Sequence, residues 1–364
     1  MRSVARWWTV AAMLAAALPA PLLGQSDTTL HVTWSGFVDT YYAYDFDTPA
    51  GIDRAFTTQA ARHNEFNVNL AFAGVTLTGD RVRGRLALQA GTSVQANYAG
   101  EPTIGAVSGP SVSRNIQEAT AGVRLGTGLW MDAGIYFSYI GAESWISRDN
   151  PTYTRSLVAE YTPYYLSGAK LTWQRPGSPV TVQVHVMNGW QNISETNGAK
   201  AVGGRVDWQV TPRVSVAYAN FFGNEQPDSL PSRTRIFNQV LGKVALGSTG
   251  DGYVQGQVDV GHQGSSDWWG WVVAAHLPVR PRVAVAARIE AYQDPDQVVL
   301  ATGTPNGFHG AGASLGLDVA VPGGALWRVE ARVLHTTSDL FPKNGAPASS
   351  PTDGLLVSSL ALTF

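Results

Sequence analysis

Residues 355–364 read LLVSSLALTF. Successive side chains of an extended segment point to opposite faces, so Leu356, Leu360, Leu362 and Phe364 share one side, with Leu355, Val357, Ser359, Ala361 and Thr363 on the other. The same period runs backwards through the chain. Trp327, Val329, Ala331 and Val333 alternate with Arg328, Glu330 and Arg332, while Val283, Val285, Ala287 and Ile289 alternate with Arg282, Arg288 and Glu290. Val254, Val258 and Val260 alternate with Gln255, Gln257 and Asp259, and Val180, Val182, Val184 and Val186 with Thr181, Gln183, His185 and Met187. Near the start, Phe66, Val68, Leu70 and Phe72 are expected on one face, with Asn67 and Asn69 on the other. The pattern predicts an all-β chain whose strands carry one apolar and one polar face.

Alternation alone does not separate a membrane barrel from a sandwich or a propeller. The connections do. Long links at 45–62, 96–114, 141–163, 188–199 and 336–353 succeed short ones at 78–81, 126–128, 176–179 and 211–212, with one brief outer loop at 264–267. Antiparallel strands joined alternately by short and long links are the plan of a transmembrane up-and-down barrel. Counting gives about sixteen strands, with fourteen to eighteen allowed because Gly-rich segments blur the boundaries, and both termini on the short-turn side. There is no 20–50-residue repeat, which argues against a propeller or solenoid.

Composition agrees. Charged residues are 14% of 364, against roughly 25% in soluble domains. Thirty-nine glycines, twelve tryptophans and thirteen tyrosines fit strands that meet lipid. A net charge of −2 gives no basic footprint for nucleic acid, and the absence of cysteine excludes disulfides and thiol chemistry. Residues 1–24 read as a cleaved signal peptide, with Arg2 and Arg6 before an apolar run from Trp7 to Leu18. The barrel domain would then be residues 25–364. No later window is long and apolar enough for a membrane helix. Aromatic residues near strand ends, Trp34, Tyr42, Trp208, Trp269, Trp271 and Trp327, are candidates for interfacial girdles.

In such a barrel the functional chemistry is a lining. Residues expected along the bore are Arg83, Arg85, Arg124, Asp132, Lys170, Arg205, Asp207, Arg288, Glu290, Arg328 and Arg332, with Glu118, Asp259 and Glu330 adding acidic charge. Rings of such charges would set ion preference; neighbours such as Arg205 and Asp207 could equally neutralise each other. The third long loop, 141–163, is the expected constriction and carries Glu143, Arg148, Asp149, Arg155 and Glu160. Packing over the barrel mouth is the alternative role for that loop. The seven histidines have no metal-binding spacing, and there is no nucleophile elbow or phosphate-binding loop, so no catalytic, cofactor or metal site is expected. His185, on the polar face of its strand, reads as a residue of the lumen.

Two resemblances bear on this reading. The ending in Leu360, Leu362 and Phe364 resembles the C-terminal signal by which barrel-assembly machinery recognises its clients. The stretch 134–173, followed by 187–208, resembles the OmpL-like putative beta-barrel porin family. The matching pieces are Ile140-Gly141-Ala142-Glu143, Asn150, Tyr153 to Leu157, Pro163-Tyr164-Tyr165, Asn188-Gly189-Trp190-Gln191 and Gly36 to Tyr42. The family implies an outer-membrane barrel for passive transport of small hydrophilic solutes or ions. Its partners would be outer-membrane lipid and, during biogenesis, the assembly machinery; homotrimer formation is left open. A non-conducting barrel acting as adhesin, receptor or structural protein is the main rival, with an outer-membrane hydrolase or a soluble exported β-protein further behind.

Overall fold

The computed structural model describes residues 29–247 and 250–364; the expected signal peptide lies outside them. Eighteen strands follow in chain order: β1 (His31–Asp45), β2 (Phe66–Thr78), β3 (Val82–Ala90), β4 (Ile116–Gly126), β5 (Leu129–Phe137), β6 (Tyr165–Trp173), β7 (Val180–Met187), β8 (Ala201–Thr211), β9 (Val214–Asn224), β10 (Thr234–Leu246), β11 (Gly252–Gln263), β12 (Ser266–Arg280), β13 (Val283–Asp294), β14 (Phe308–Val321), β15 (Ala325–Thr336), β16 (Phe341–Lys343), β17 (Ala346–Ser350) and β18 (Thr352–Thr363). Sixteen of them close into one antiparallel barrel, each paired with its neighbour in sequence, while β16 and β17 form a small hairpin in the last long loop. The ring closes where β18 meets both β15 and β1. Closure pairs the backbone of every wall strand on both sides, as a strand protein in lipid requires.

Side-chain alternation places the two faces as the sequence implies for most strands. Val254, Val258 and Val260 of β11 turn outward, while Gln257 and Asp259 point into the barrel and are buried. Trp34, Trp173, Trp208 and Trp327 stand outward near the short-turn ends, and Tyr42, Phe66, Phe222 and Trp269 outward near the long-loop ends. These two aromatic belts bracket the apolar wall. Val258, about half exposed on that wall, provides a direct test. Val258→Arg is expected to cost about 2–4 kcal/mol if that position lies near mid-membrane, measured as a fall in the temperature at which the folded band is lost on a gel.

β2 departs from the expected alternation. Pairing runs Asp39↔Leu70 and then Thr40↔Val68, so the register shifts and Asn69 becomes an extra residue. Such a bulge moves side chains to the opposite face. Phe66 and Val68 face outward, but Leu70 and Phe72 turn inward, where Phe72 stacks on Phe37 with ring centroids 5.7 Å apart. The four residues therefore do not share a face.

The closure seam depends on one glycine. The Gly36 N–H donates to the Phe364 carbonyl at 2.7 Å, and the Phe364 N–H returns a bond to the Gly36 carbonyl at 3.1 Å. The Phe364 ring lies over Gly36, where an added Cβ would sit 2.2 Å from it. Gly36→Val is expected to push the ring aside and to cost about 1–3 kcal/mol, read as a lower folded fraction during refolding into detergent or lipid.

Candidate functional site

The link between β5 and β6, residues 138–164, turns into the barrel. It contains a short helix, α1 (Leu157–Glu160), with the Ser156 side chain capping its first turn. On leaving β5 the loop is held by β8, where Arg205 donates to the carbonyls of Tyr139 and Gly141 at 2.7 and 3.1 Å. The N–H groups of Gly141 and Ala142 then donate to Gln239 of β10 and Gln257 of β11 at 2.7 and 2.8 Å. Both glutamines are themselves oriented by Asp259. The peptide groups of a loop inside a barrel must find partners in the wall. These amide side chains supply them.

The far wall is built for the same purpose. Arg328 of β15 donates to the carbonyls of Ser147, Asn150 and Pro151 at 2.7, 2.9 and 3.0 Å, and is fixed by Asp318 of β14 at 2.8 Å. Arg288 of β13 donates to the Thr152 and Thr154 hydroxyls at 2.6 and 2.9 Å. Glu330 accepts from the Thr154 N–H and hydroxyl at 2.6 and 2.7 Å, and Glu290 accepts from the Leu157 N–H and from Arg332. On β1, Asp39 accepts from the Ser147 hydroxyl at 2.7 Å. In the ring order β13 to β15 lie about half the circumference from β5 and β6, so the loop crosses the bore. It also descends: Arg148 reaches the Gly324 carbonyl in the short turn 322–324, and the Thr363 hydroxyl at 2.9 Å.

This arrangement reassigns several residues expected to line water. Arg288, Glu290, Arg328 and Arg332 point into the bore but are only 1–2% exposed, because the loop covers them. They dock the loop. Within it, Arg155 is fully buried, donating to the Ser144 and Trp145 carbonyls and lying 4.0 Å over the Tyr164 ring. Glu143 is enclosed too, accepting from the Ser156 N–H at 2.8 Å, and burial raises its carboxyl pKa against the pull of Arg288. Glu160 binds the Thr58 hydroxyl at 2.7 Å and so joins this loop to the first one. Of the five expected constriction residues, Arg155 and Glu160 are buried, Glu143 and Arg148 are half-buried, and Asp149 is exposed.

Elsewhere the bore charges are paired: Arg83 with Asp132, Arg85 with Glu118, and Arg205 with Asp207. Lys170 lies 4.7 Å over the Tyr136 ring, Arg124 is exposed at the end of β4, and His185 packs against Tyr136 and Tyr139 inside the bore. A polar cleft of about 450 Å³ remains on the β7–β11 side, bordered by Ala142, Asp149, Arg205, Asp207, Lys243 and Gln255. Above it, toward the long-loop end, the interior is apolar. Phe221, Phe237, Trp268, Tyr292 and Phe308 from the wall pack with Leu157, Val158, Leu300, Leu340 and Phe341 from the loops, and with Trp190. Trp268 fits only because Gly261 opposite has no side chain; a Cβ there would lie 2.0 Å from the indole.

The residues missed from sequence are mainly the loop's anchors: Asp39, Ser147, Thr152, Thr154, Gln239 and Asp318. Asp39 stood in the Gly36–Tyr42 strand, and a carboxylate on an inward position beside the barrel seam was its only signal. A sixteen-stranded barrel with a polar-faced interior, short turns at one end, and a third loop folded into the bore is the architecture of an outer-membrane porin. Residues 31–364 match the family described as Putative beta-barrel porin-2, OmpL-like, and the chain belongs to that family. Among curated proteins no sequence match was found. Similar solved structures include the outer membrane channel DcaP of Acinetobacter baumannii, with a TM-score of 0.62 at 12% identity over 92% of this chain and 97% of that one. An anion-selective porin from Comamonas acidovorans gives 0.58 at 13% identity over 92% and 100%. The OmpF of Salmonella typhi gives 0.57 at 12% identity over 92% and 97%. At such identities the likeness shows the fold.

Proposed function

We propose that this outer-membrane barrel passes small hydrophilic solutes or ions by passive diffusion, with the third long loop, 141–163, as its constriction. The observation that carries this reading is the polar cleft left between that loop and the β7–β11 wall, with Asp149, Arg205, Asp207 and Lys243 at its border. A bore too wide for side chains to fill leaves an aqueous path, and a loop fixed across it narrows that path to one side. Asp149, exposed, and Arg148, half-buried beside it at the loop's deep end, would meet passing ions first. Purified protein in a planar bilayer is expected to give discrete conductance steps, and neutralising Asp149 is expected to shift the reversal potential. A folded, heat-modifiable barrel that gives no steps would sink the channel reading.

The apolar packing at the long-loop end favours a second reading, a closed barrel whose outer loops are its working surface. The two differ in whether that packing opens. The first 24 residues would be removed on export, leaving a mature chain that begins at Gln25; mass spectrometry of the outer-membrane form reads this directly. A homotrimer is the assembly we favour, since one similar structure, OmpT of Vibrio cholerae, is described in a trimer form.

A further inference from the structure

The short turns carry charge of one dominant sign. Arg81 lies in the turn 79–81, Arg175 in 174–179, Arg213 in 212–213 and Arg282 in 281–282, and Arg280 is the last residue of β12. All five are exposed. Against them the turns set two carboxylates, Asp80 and Asp251. Among the described residues none of the five arginines lies within ion-pair distance of a carboxylate, whereas Arg83, Arg85, Arg205, Arg288, Arg328 and Arg332 of the bore all do. These five exposed guanidinium groups, gathered at one rim with no carboxylate in reach, are free to take an external anion.

Their height identifies it. Each arginine stands within three residues of an outward-facing apolar side chain: Val82 beside Arg81, Trp173 beside Arg175, Val210 beside Arg213, Leu277 before Arg280 and Val285 after Arg282. Three residues of strand span about 10 Å, and the headgroup layer beyond the hydrocarbon is about 5–8 Å deep on each side. The guanidinium groups therefore reach the phosphate level of the leaflet that faces the periplasm, because short turns lie on that side. The turns concerned join β2 to β3, β6 to β7, β8 to β9 and β12 to β13, so the charges are spread around the ring. Guanidinium is suited to phosphate because its fork donates two parallel hydrogen bonds.

We propose that Arg81, Arg175, Arg213, Arg280 and Arg282 form a basic ring that binds the phosphate groups of anionic phospholipid in the inner leaflet of the outer membrane. The ring seats the barrel at a fixed depth and holds a shell of anionic lipid around its periplasmic rim. Each arginine contributes about fivefold to the preference for anionic over zwitterionic lipid.

The test compares barrels refolded into phosphatidylcholine vesicles with barrels in vesicles holding one part phosphatidylglycerol to four of phosphatidylcholine. The wild-type protein is expected to lose its folded gel mobility at a higher temperature when phosphatidylglycerol is present. The variant Arg81→Gln/Arg175→Gln/Arg213→Gln/Arg280→Gln/Arg282→Gln is expected to give the same temperature in both lipids. The smaller variant Arg280→Gln/Arg282→Gln, which leaves three turns untouched, is expected to bind phosphatidylglycerol about 25-fold less selectively in native mass spectrometry. An equal response to phosphatidylglycerol in wild type and variants overturns the proposal. So does an equal rise produced by inorganic phosphate in phosphatidylcholine alone, which would make the site one for free phosphate.

Discussion

Replacing Arg328 by alanine is expected to free the third loop from the far wall and to cost about 3–5 kcal/mol of barrel stability. The side chain is 2% exposed and joins Asp318 to the carbonyls of Ser147, Asn150 and Pro151. Removing it leaves a buried carboxylate facing only His276 and three carbonyls without this donor. That is worse than removing the whole network, because an uncompensated charge stays behind. Arg328→Lys keeps the charge but loses the fork that reaches several acceptors at once, so it should fall between the two. Limited proteolysis is the direct reading: the wild-type loop resists cleavage between residues 141 and 163, and Arg328→Ala is cut there first. If the loop is also the constriction, single-channel conductance rises in the same variant.

Phe237→Ala carries the second large effect. Phe237 is fully buried on the inward face of β10, with the Trp190 ring edge-on at 5.0 Å. Truncating a buried phenylalanine costs about 3–5 kcal/mol, part of it from the cavity left behind. Here the loss falls on the packing that closes the long-loop end rather than on the strand ladder. The long loops should therefore loosen while the barrel persists. Expected results are a lower thermal midpoint, and a rise in the fraction of time a reconstituted channel is open. A stability loss with unchanged conductance would mean that the apolar packing is structural and does not gate the bore.

The wall was legible from sequence because a strand between lipid and a polar interior obeys a period of two without exception over many residues. β7, β11, β13, β15 and β18 each show it, and the alternation of long and short links oriented them. One bulge was enough to defeat the same reasoning in β2, since an extra residue at Asn69 reverses every face beyond it. The bore was harder to read. Inward positions such as Arg328 and Glu330 were visible as charged, but whether charge meets water or a docked loop depends on partners some 180 residues away in sequence. Arg328 and the Ser147 carbonyl, for example, are separated by 181 positions. Inward aromatic residues were harder still. Phe237 sits between outward-facing Ile236 and Asn238, so neither the aromatic nor its neighbours marks which face is which. Only the fold brings it together with Phe221, Trp268 and Trp190 as a core inside the barrel mouth.

The loop's position also explains why Arg155 and Glu143, the charges that stood out in sequence, are enclosed. A 27-residue link between Phe137 and Tyr165 that enters the bore needs internal bonds of its own. Arg155 supplies them by tying the Ser144 and Trp145 carbonyls to the return limb. Charge in a loop inside a barrel can therefore hold the loop's shape. Asp149, which makes few contacts, is the better candidate for selection.

The loop's path across the bore is the central claim, and the absence of native cysteine permits a clean measurement of it. Ser147 of the loop and Asp39 of β1 touch at 2.7 Å inside the barrel, where the loop passes the closure seam on its way to the far wall. In Ser147→Cys/Asp39→Cys, a short bifunctional thiol reagent applied to intact outer membranes is expected to join the two positions in the folded band, with neither single variant reacting in that way. A folded double variant in which both thiols react separately and never cross-link would place the loop elsewhere and contradict the account.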